Sequence, residues 1–152
     1  MTHFRTALKP AILLFLISNL ALFAGTGLIT TVAGTGASGS AGVGGSATAA
    51  QLSFPAGLCT DPAGNLYIAD YNNNRVVRVD GLTGILTLVA GAGSGGDTGD
   101  GGAASLAALN GPLGLAIDAA GNLYISEFGE VSPSSKSYGL TVDSRGNIYV
   151  AD

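Results

Sequence analysis

Apolar and polar positions alternate in short runs along this chain, and the runs are separated by turn-forming residues. Leu66-Tyr-Ile-Ala69 and Arg75-Val-Val-Arg-Val79 carry the period of two that places one face inward. DPAG (61–64), YNNN (71–74) and DGLTG (80–84) interrupt them. The pattern predicts strands at Gly57–Thr60, Leu66–Ala69, Arg75–Val79 and Ile85–Ala90, with a flexible Gly-rich loop of about twenty residues after them. Asp61-Pro-Ala-Gly64 suits a type I turn, with Asp first, Pro second and Gly fourth.

The unit recurs. TTVAGTG (30–36) aligns with TLVAGAG (87–93) at an offset of 57, and GGSATAAQLSFPAGL (44–58) aligns with GGAASLAALNGPLGL (101–115) without a gap. DPAGNLYIAD at 61 returns as DAAGNLYISE at 118 and as DSRGNIYVAD at 143. Four short antiparallel strands per unit, repeated, is the pattern of a β-propeller blade. The phrases FPAGL, D-x-x-GNLYIAD, NNNRVVRVD and VAGxG…GDGGAA resemble NHL-repeat propellers of the secreted bacterial type, over nearly all of residues 29–152. The resemblance implies an all-β propeller of four-stranded blades. It implies no single function, since the architecture hosts many activities.

The repeat then breaks. The second and third acidic motifs lie 25 residues apart instead of 57, and FGEVSPSSKSY (128–138) lacks the expected third and fourth strands. About two to three blades are therefore expected, short of the four to eight that close a ring. Ile29–Ala33 reads as a further strand that matches the outer strand Leu86–Ala90. The expectation is a fragment or internally deleted copy whose open strand edges favour self-association. Unequal units argue against a symmetric homo-oligomeric ring.

MTHFRTALKP followed by AILLFLISNLALFAG has the order of a secretory signal, so residues 1–27 read as a signal peptide or N-terminal anchor and 28–152 as the partial propeller. The expected location is secreted, periplasmic or cell-envelope, with membrane attachment only through an uncleaved segment. Cleavage would remove His3, Arg5 and Lys9, leaving four cations against ten acids, a net charge of −6. Such a surface disfavours nucleic acid. Cys59 is the one cysteine, which excludes an internal disulfide and suits a small buried apolar side chain.

Asp61, Asp118 and Asp143 each open a turn, and turn chemistry accounts for D-x-x-G-N without catalysis. Asp70, Glu127 and Asp152 close the motif. Asn73, Asn74 and Arg75 follow the first of them, so an Asp–Arg contact bracing the turn is expected. A ligand role for Asp70, Asn73, Arg75 and Glu127 is the alternative. Asp97 and Asp100 in GDTGDGG (96–102) lack regular calcium-ligand spacing, and the matching positions are Ser40 and Val43, so no metal or cofactor is expected. Tyr67, Tyr124 and Tyr149 repeat with the strand and read as packing residues. With no His in the mature chain, no triad or His-ligated zinc mechanism is available. The sequence leans away from an enzyme, towards an exported binding scaffold for a protein, peptide or glycan. The alternative is a piece of a metal-dependent, lactonase-like propeller hydrolase or lyase with its catalytic residues in other blades.

Overall fold

The computed structural model of the chain describes residues 29–128, 139–143 and 145–151. The proposed signal (1–27), most of the irregular 128–138 segment with Glu130, and Asp152 lie outside the described residues. The described part is all-β. Strands β1 (Pro55–Thr60), β2 (Leu66–Asp70), β3 (Arg75–Val79) and β4 (Leu86–Ala90) form one antiparallel sheet in the order β1-β2-β3-β4. β5 (Pro112–Ile117) pairs with β6 (Leu123–Glu127), and β7 (Gly139–Val142) with β8 (Ile148–Ala151), as two-stranded sheets. The four strands read from the alternation are thus present, within one or two residues at their ends.

Alternation explains how the first sheet buries both faces. Ile68, Val77, Val79 and Leu86 point to one side, where Ala47 and Ala50 of the preceding Gly-rich loop cover them. Ala69, Val76 and Ala90 point to the other, against Leu115 of β5, with Tyr67, Leu109 and Ile125 packed around them. Cys59 joins the second cluster as a half-buried free thiol, and burial pushes its pKa up to about 11. A thiol held protonated in this way is a poor nucleophile.

Successive units meet through glycine. A Cβ at Gly57 in β1 would collide with the Leu113 carbonyl of β5, and one at Gly114 in β5 would stand 3.2 Å from the Leu140 backbone nitrogen of β7. At Gly57 only glycine lets the backbones approach so closely, whereas at Gly114 the approach is tight and the nearest atom is the Ser126 hydroxyl. The same β-bulge recurs as well, between Pro55 and Leu58 in β1 and between Pro112 and Gly114 in β5.

Two expectations are corrected. No strand forms over 29–33; Gly34 instead donates its N–H to the Ala47 carbonyl at 2.9 Å. An outer strand needs a neighbour to complete its ladder, and none pairs with this segment among the described residues. The Gly-rich loop, expected to be flexible, carries a repeated internal hydrogen-bond set. Gly34 to Ala47, Thr35 to Ala50 and Gln51 to Ala41 recur 57 residues later as Gly91 to Ala104, Ala92 to Ala107 and Ala108 to Thr98, all at 2.8–3.0 Å. Each copy includes a single 3-10 turn, at Ala47–Ala49 and Ala104–Leu106. The sequence signal was available: glycines recur at matched positions, Gly34 with Gly91, Gly36 with Gly93, Gly42 with Gly99 and Gly44 with Gly101, and in the structure all eight take a positive φ.

Candidate functional site

The acids of D-x-x-G-N build the same small structure three times. In the first, the Asn65 N–H and side-chain amide donate to the two Asp61 carboxylate oxygens at 2.9 and 2.7 Å, and the Tyr67 hydroxyl donates at 3.2 Å. Asn122 and Tyr124 do the same for Asp118 at 2.8, 2.7 and 3.1 Å. Asn147 and Tyr149 do so for Asp143 at 2.9, 2.8 and 3.2 Å. The turn closes in each copy through the N–H of Gly64, Gly121 or Gly146, whose φ is +84° to +88°. Hydrogen bonds from the asparagine side chain, and then from the backbone, hold all three carboxyls below their ordinary pKa. A carboxyl held ionised in this way is unsuited to general-acid work at neutral pH. The tyrosine role was missed in the sequence, although the Asp-to-Tyr spacing of six recurs three times.

The ligand candidates form a second assembly at the β2–β3 turn. Asp70 is fully buried and Arg75 nearly so, and the Arg75 Nε donates to Asp70 Oδ2 at 2.7 Å. Asn73 donates to the same oxygen at 2.7 Å, while the Ser53 N–H donates to Oδ1 at 2.7 Å. The rest of the Arg75 guanidinium reaches back 35 residues to the Ser40 carbonyl at 2.8 Å, and to the Gln51 carbonyl at 3.2 Å. These bonds clip the Gly-rich loop onto the sheet. Asn74 takes the left-handed turn position (φ +47°), and its side chain accepts the Gly111 N–H of the second unit at 3.0 Å.

Glu127 is the counterpart of Asp70, 57 residues on. It accepts the Asn110 N–H at 3.3 Å, as Asp70 accepts that of Ser53. Position 132, where the offset would place an arginine, holds serine. Burial, and to a lesser extent the charge of Asp97, push the Glu127 pKa up. Glu127 therefore does not join Asp70, Asn73 and Arg75 in one cluster. Asp97 and Asp100 are exposed, and no group of three His, Cys, Asp or Glu side chains converges among the described residues.

On the solvent side of this assembly lies a feature that strand alternation does not predict. Phe54 holds a left-handed backbone (φ +53°) while 69% exposed, a conformation that costs a non-glycine residue about 1–3 kcal/mol. Its ring meets Tyr71 edge-on at 5.7 Å, and Tyr71 meets Phe128 edge-on at 6.5 Å. Ser53 accepts from the Asn72 side-chain amide at 3.3 Å and shares a 2.9 Å hydroxyl contact with Ser38. A shallow cavity of about 230 Å³ opens next to Asn72, bordered by Ser40, Asn73, Arg75 and Gly93.

Against known proteins, residues 52–79 match the NHL repeat, which spans β1 to β3 with the Asp61 turn and the Asp70–Arg75 pair. The chain is also similar to Teneurin-3 of Danio rerio, 41% identical over 80 residues that make up 44% of this chain. It is 36% identical to Teneurin-4 of Homo sapiens over 94 residues, 54% of this chain. In each case the chain spans 3% of the relative's length. The teneurin matches are distant and partial, and the family match identifies an NHL repeat at residues 52–79 of the chain.

Proposed function

We propose that the chain is a segment of an NHL-repeat β-propeller, exported to the cell envelope or beyond, that serves as an interaction scaffold for a protein, peptide or glycan. The observation that supports this most directly is the repeated glycine contact. β1 approaches β5 at Gly57, and β5 approaches β7 at Gly114, at matched positions of their units. Repeating one inter-strand contact from unit to unit is how propellers place their blades around an axis. The export half of the reading rests on the basic, then apolar, then small-residue order of residues 1–27.

The scaffold half rests on how the motif residues are used. The turn carboxylates and the Asp70–Arg75 pair all bond within the chain, so the motif is structural and recognition falls to the surface between its copies. The test presents the purified full chain to a random peptide display library and to an array of oligosaccharides. In parallel, a panel of lactones and esters is assayed with added calcium or manganese. The reading expects one ligand class to be enriched and no metal-dependent turnover. Turnover that follows the added metal, or retention of neither class, overturns it.

A further inference from the structure

The scaffold reading leaves the ligand class open, and the rim in front of β1 narrows it. Phe54 occupies the position that glycine holds in the second unit, where Gly111 has φ +57° against +53° for Phe54. The bulky residue is thus kept where glycine meets the backbone requirement, and its exposure means that core packing does not account for it. Gly111 in turn clears the space for the ring row: a Cβ there would stand 2.7 Å from the Tyr71 ring and 3.3 Å from Phe128 Cβ. Phe54 forms the open end of a row of three rings that crosses from one unit to the next.

The surroundings of that open ring are polar and neutral. Ser38 and Asn72 are exposed and Ser53 is half-buried, and the three are linked by hydrogen bonds. A serine hydroxyl offers one donor and two acceptor sites, so these groups keep capacity for a ligand. The charges beneath them, Asp70 and Arg75, neutralise each other and are buried. We infer that Phe54, Ser53 and Asn72 form a subsite for a neutral hexopyranose. The C–H face of the sugar lies on the exposed ring, and its equatorial hydroxyls meet the serine and asparagine groups. The cavity beside Asn72, smaller than the roughly 300–1,000 Å³ that holds drug-sized ligands, suits one further sugar ring. Uronates and phosphates are disfavoured by the chain's net charge of −4. Strand addition by a peptide needs an open, regular ladder, whereas Phe54 sits beside a bulge with its backbone turned left-handed.

The inference rests on the scaffold reading, and its test separates the two. The full chain is titrated calorimetrically with cellohexaose, mannohexaose and hexagalacturonate. Binding of a neutral hexaose is expected, without binding of hexagalacturonate. Phe54→Gly is expected to keep or raise Tm, because it removes the left-handed strain, while weakening the hexaose by about tenfold or more. The natural chain has no tryptophan, so Phe54→Trp supplies a single reporter whose emission should shift when the hexaose binds. Failure of both hexaoses to bind, or wild-type affinity in a folded Phe54→Gly chain, overturns the sugar subsite. If peptides are still selected by display while the hexaoses fail, only the sugar subsite falls; if neither class is retained, the scaffold reading falls with it.

Discussion

Asp70 and Arg75 meet at 2.7 Å with both side chains withdrawn from water. They stand opposite each other in the β2–β3 register, at the turn joining the two strands. The geometry converts a local turn into a long-range clamp, because the guanidinium also binds the carbonyls of Ser40 and Gln51. Removing one partner of a buried pair typically costs about 3–5 kcal/mol, since the other charge is left uncompensated. Arg75→Met is therefore expected to lower the urea midpoint of the full chain severely. Arg75→Lys should recover little, because an ammonium cannot spread donors across one carboxylate and two separate carbonyls. A midpoint for Arg75→Lys close to wild type would contradict this account.

That pair also shows what was legible in the sequence. A strand ending in Asp, a short Asn-rich turn and a following Arg are enough to expect the contact, because the turn fixes the register. The strands were legible for the same local reason: alternation and turn chemistry agree from Gly57 to Ala90. What escaped was non-local. Nothing in the spacing ties Arg75 to Ser40, 35 residues away. Nor does alternation reveal that Tyr67 bends over its own turn to reach Asp61. The missing strand at 29–33 has the same cause: Ile29–Ala33 has strand composition, but a strand exists only where a neighbour accepts its ladder.

Two glycines separate steric from conformational need. Gly57 has no positive φ in the structure, but a Cβ there would run into the Leu113 backbone, which cannot swing aside. Gly64 has φ +84° and open space around its Cα. Gly57→Ala is expected to destabilise by about 1–3 kcal/mol or more, as overpacking does. Gly64→Ala should cost roughly 1–2 kcal/mol, and Gly64→Asn less, because asparagine tolerates the left-handed region. Thermal unfolding of these three variants and of Gly57→Asn checks the order. Rescue by asparagine is expected at 64 and not at 57.

The turn carboxyls set an acid limit on stability. Asp61, Asp118 and Asp143 have folded pKa values below their ordinary value, as does Asp80, which is held down mainly by the Thr83 N–H. Between the depressed folded value and the unfolded value of about 3.9, the unfolded chain binds more protons. The stabilisation is therefore complete above about pH 5, a unit above the unfolded value, and is lost as pH falls through the folded values. Carboxyl-carbon NMR titration should place all four midpoints below that of an unstructured aspartate. Asn65→Ala should raise the Asp61 midpoint and leave Asp118 unchanged.

Glu127 behaves in the opposite sense. It occupies the Asp70 position without an arginine, is half-buried, and has its pKa raised by burial first and by Asp97 second. With the folded pKa above the unfolded value of about 4.3, the folded chain binds more protons between the two, so ionisation in that window weakens the fold as pH rises. Glu127→Gln keeps an acceptor for the Asn110 N–H and removes the charge. It is expected to raise Tm at pH 7 and to leave Tm nearly unchanged at about pH 3.5, where the wild-type carboxyl is protonated in both states. Asp97→Asn should lower the Glu127 midpoint by a smaller amount, as befits the lesser of the two causes. A Glu127→Gln chain less stable than wild type at pH 7 would show that the carboxylate is satisfied there, and would remove the contrast drawn with Asp70.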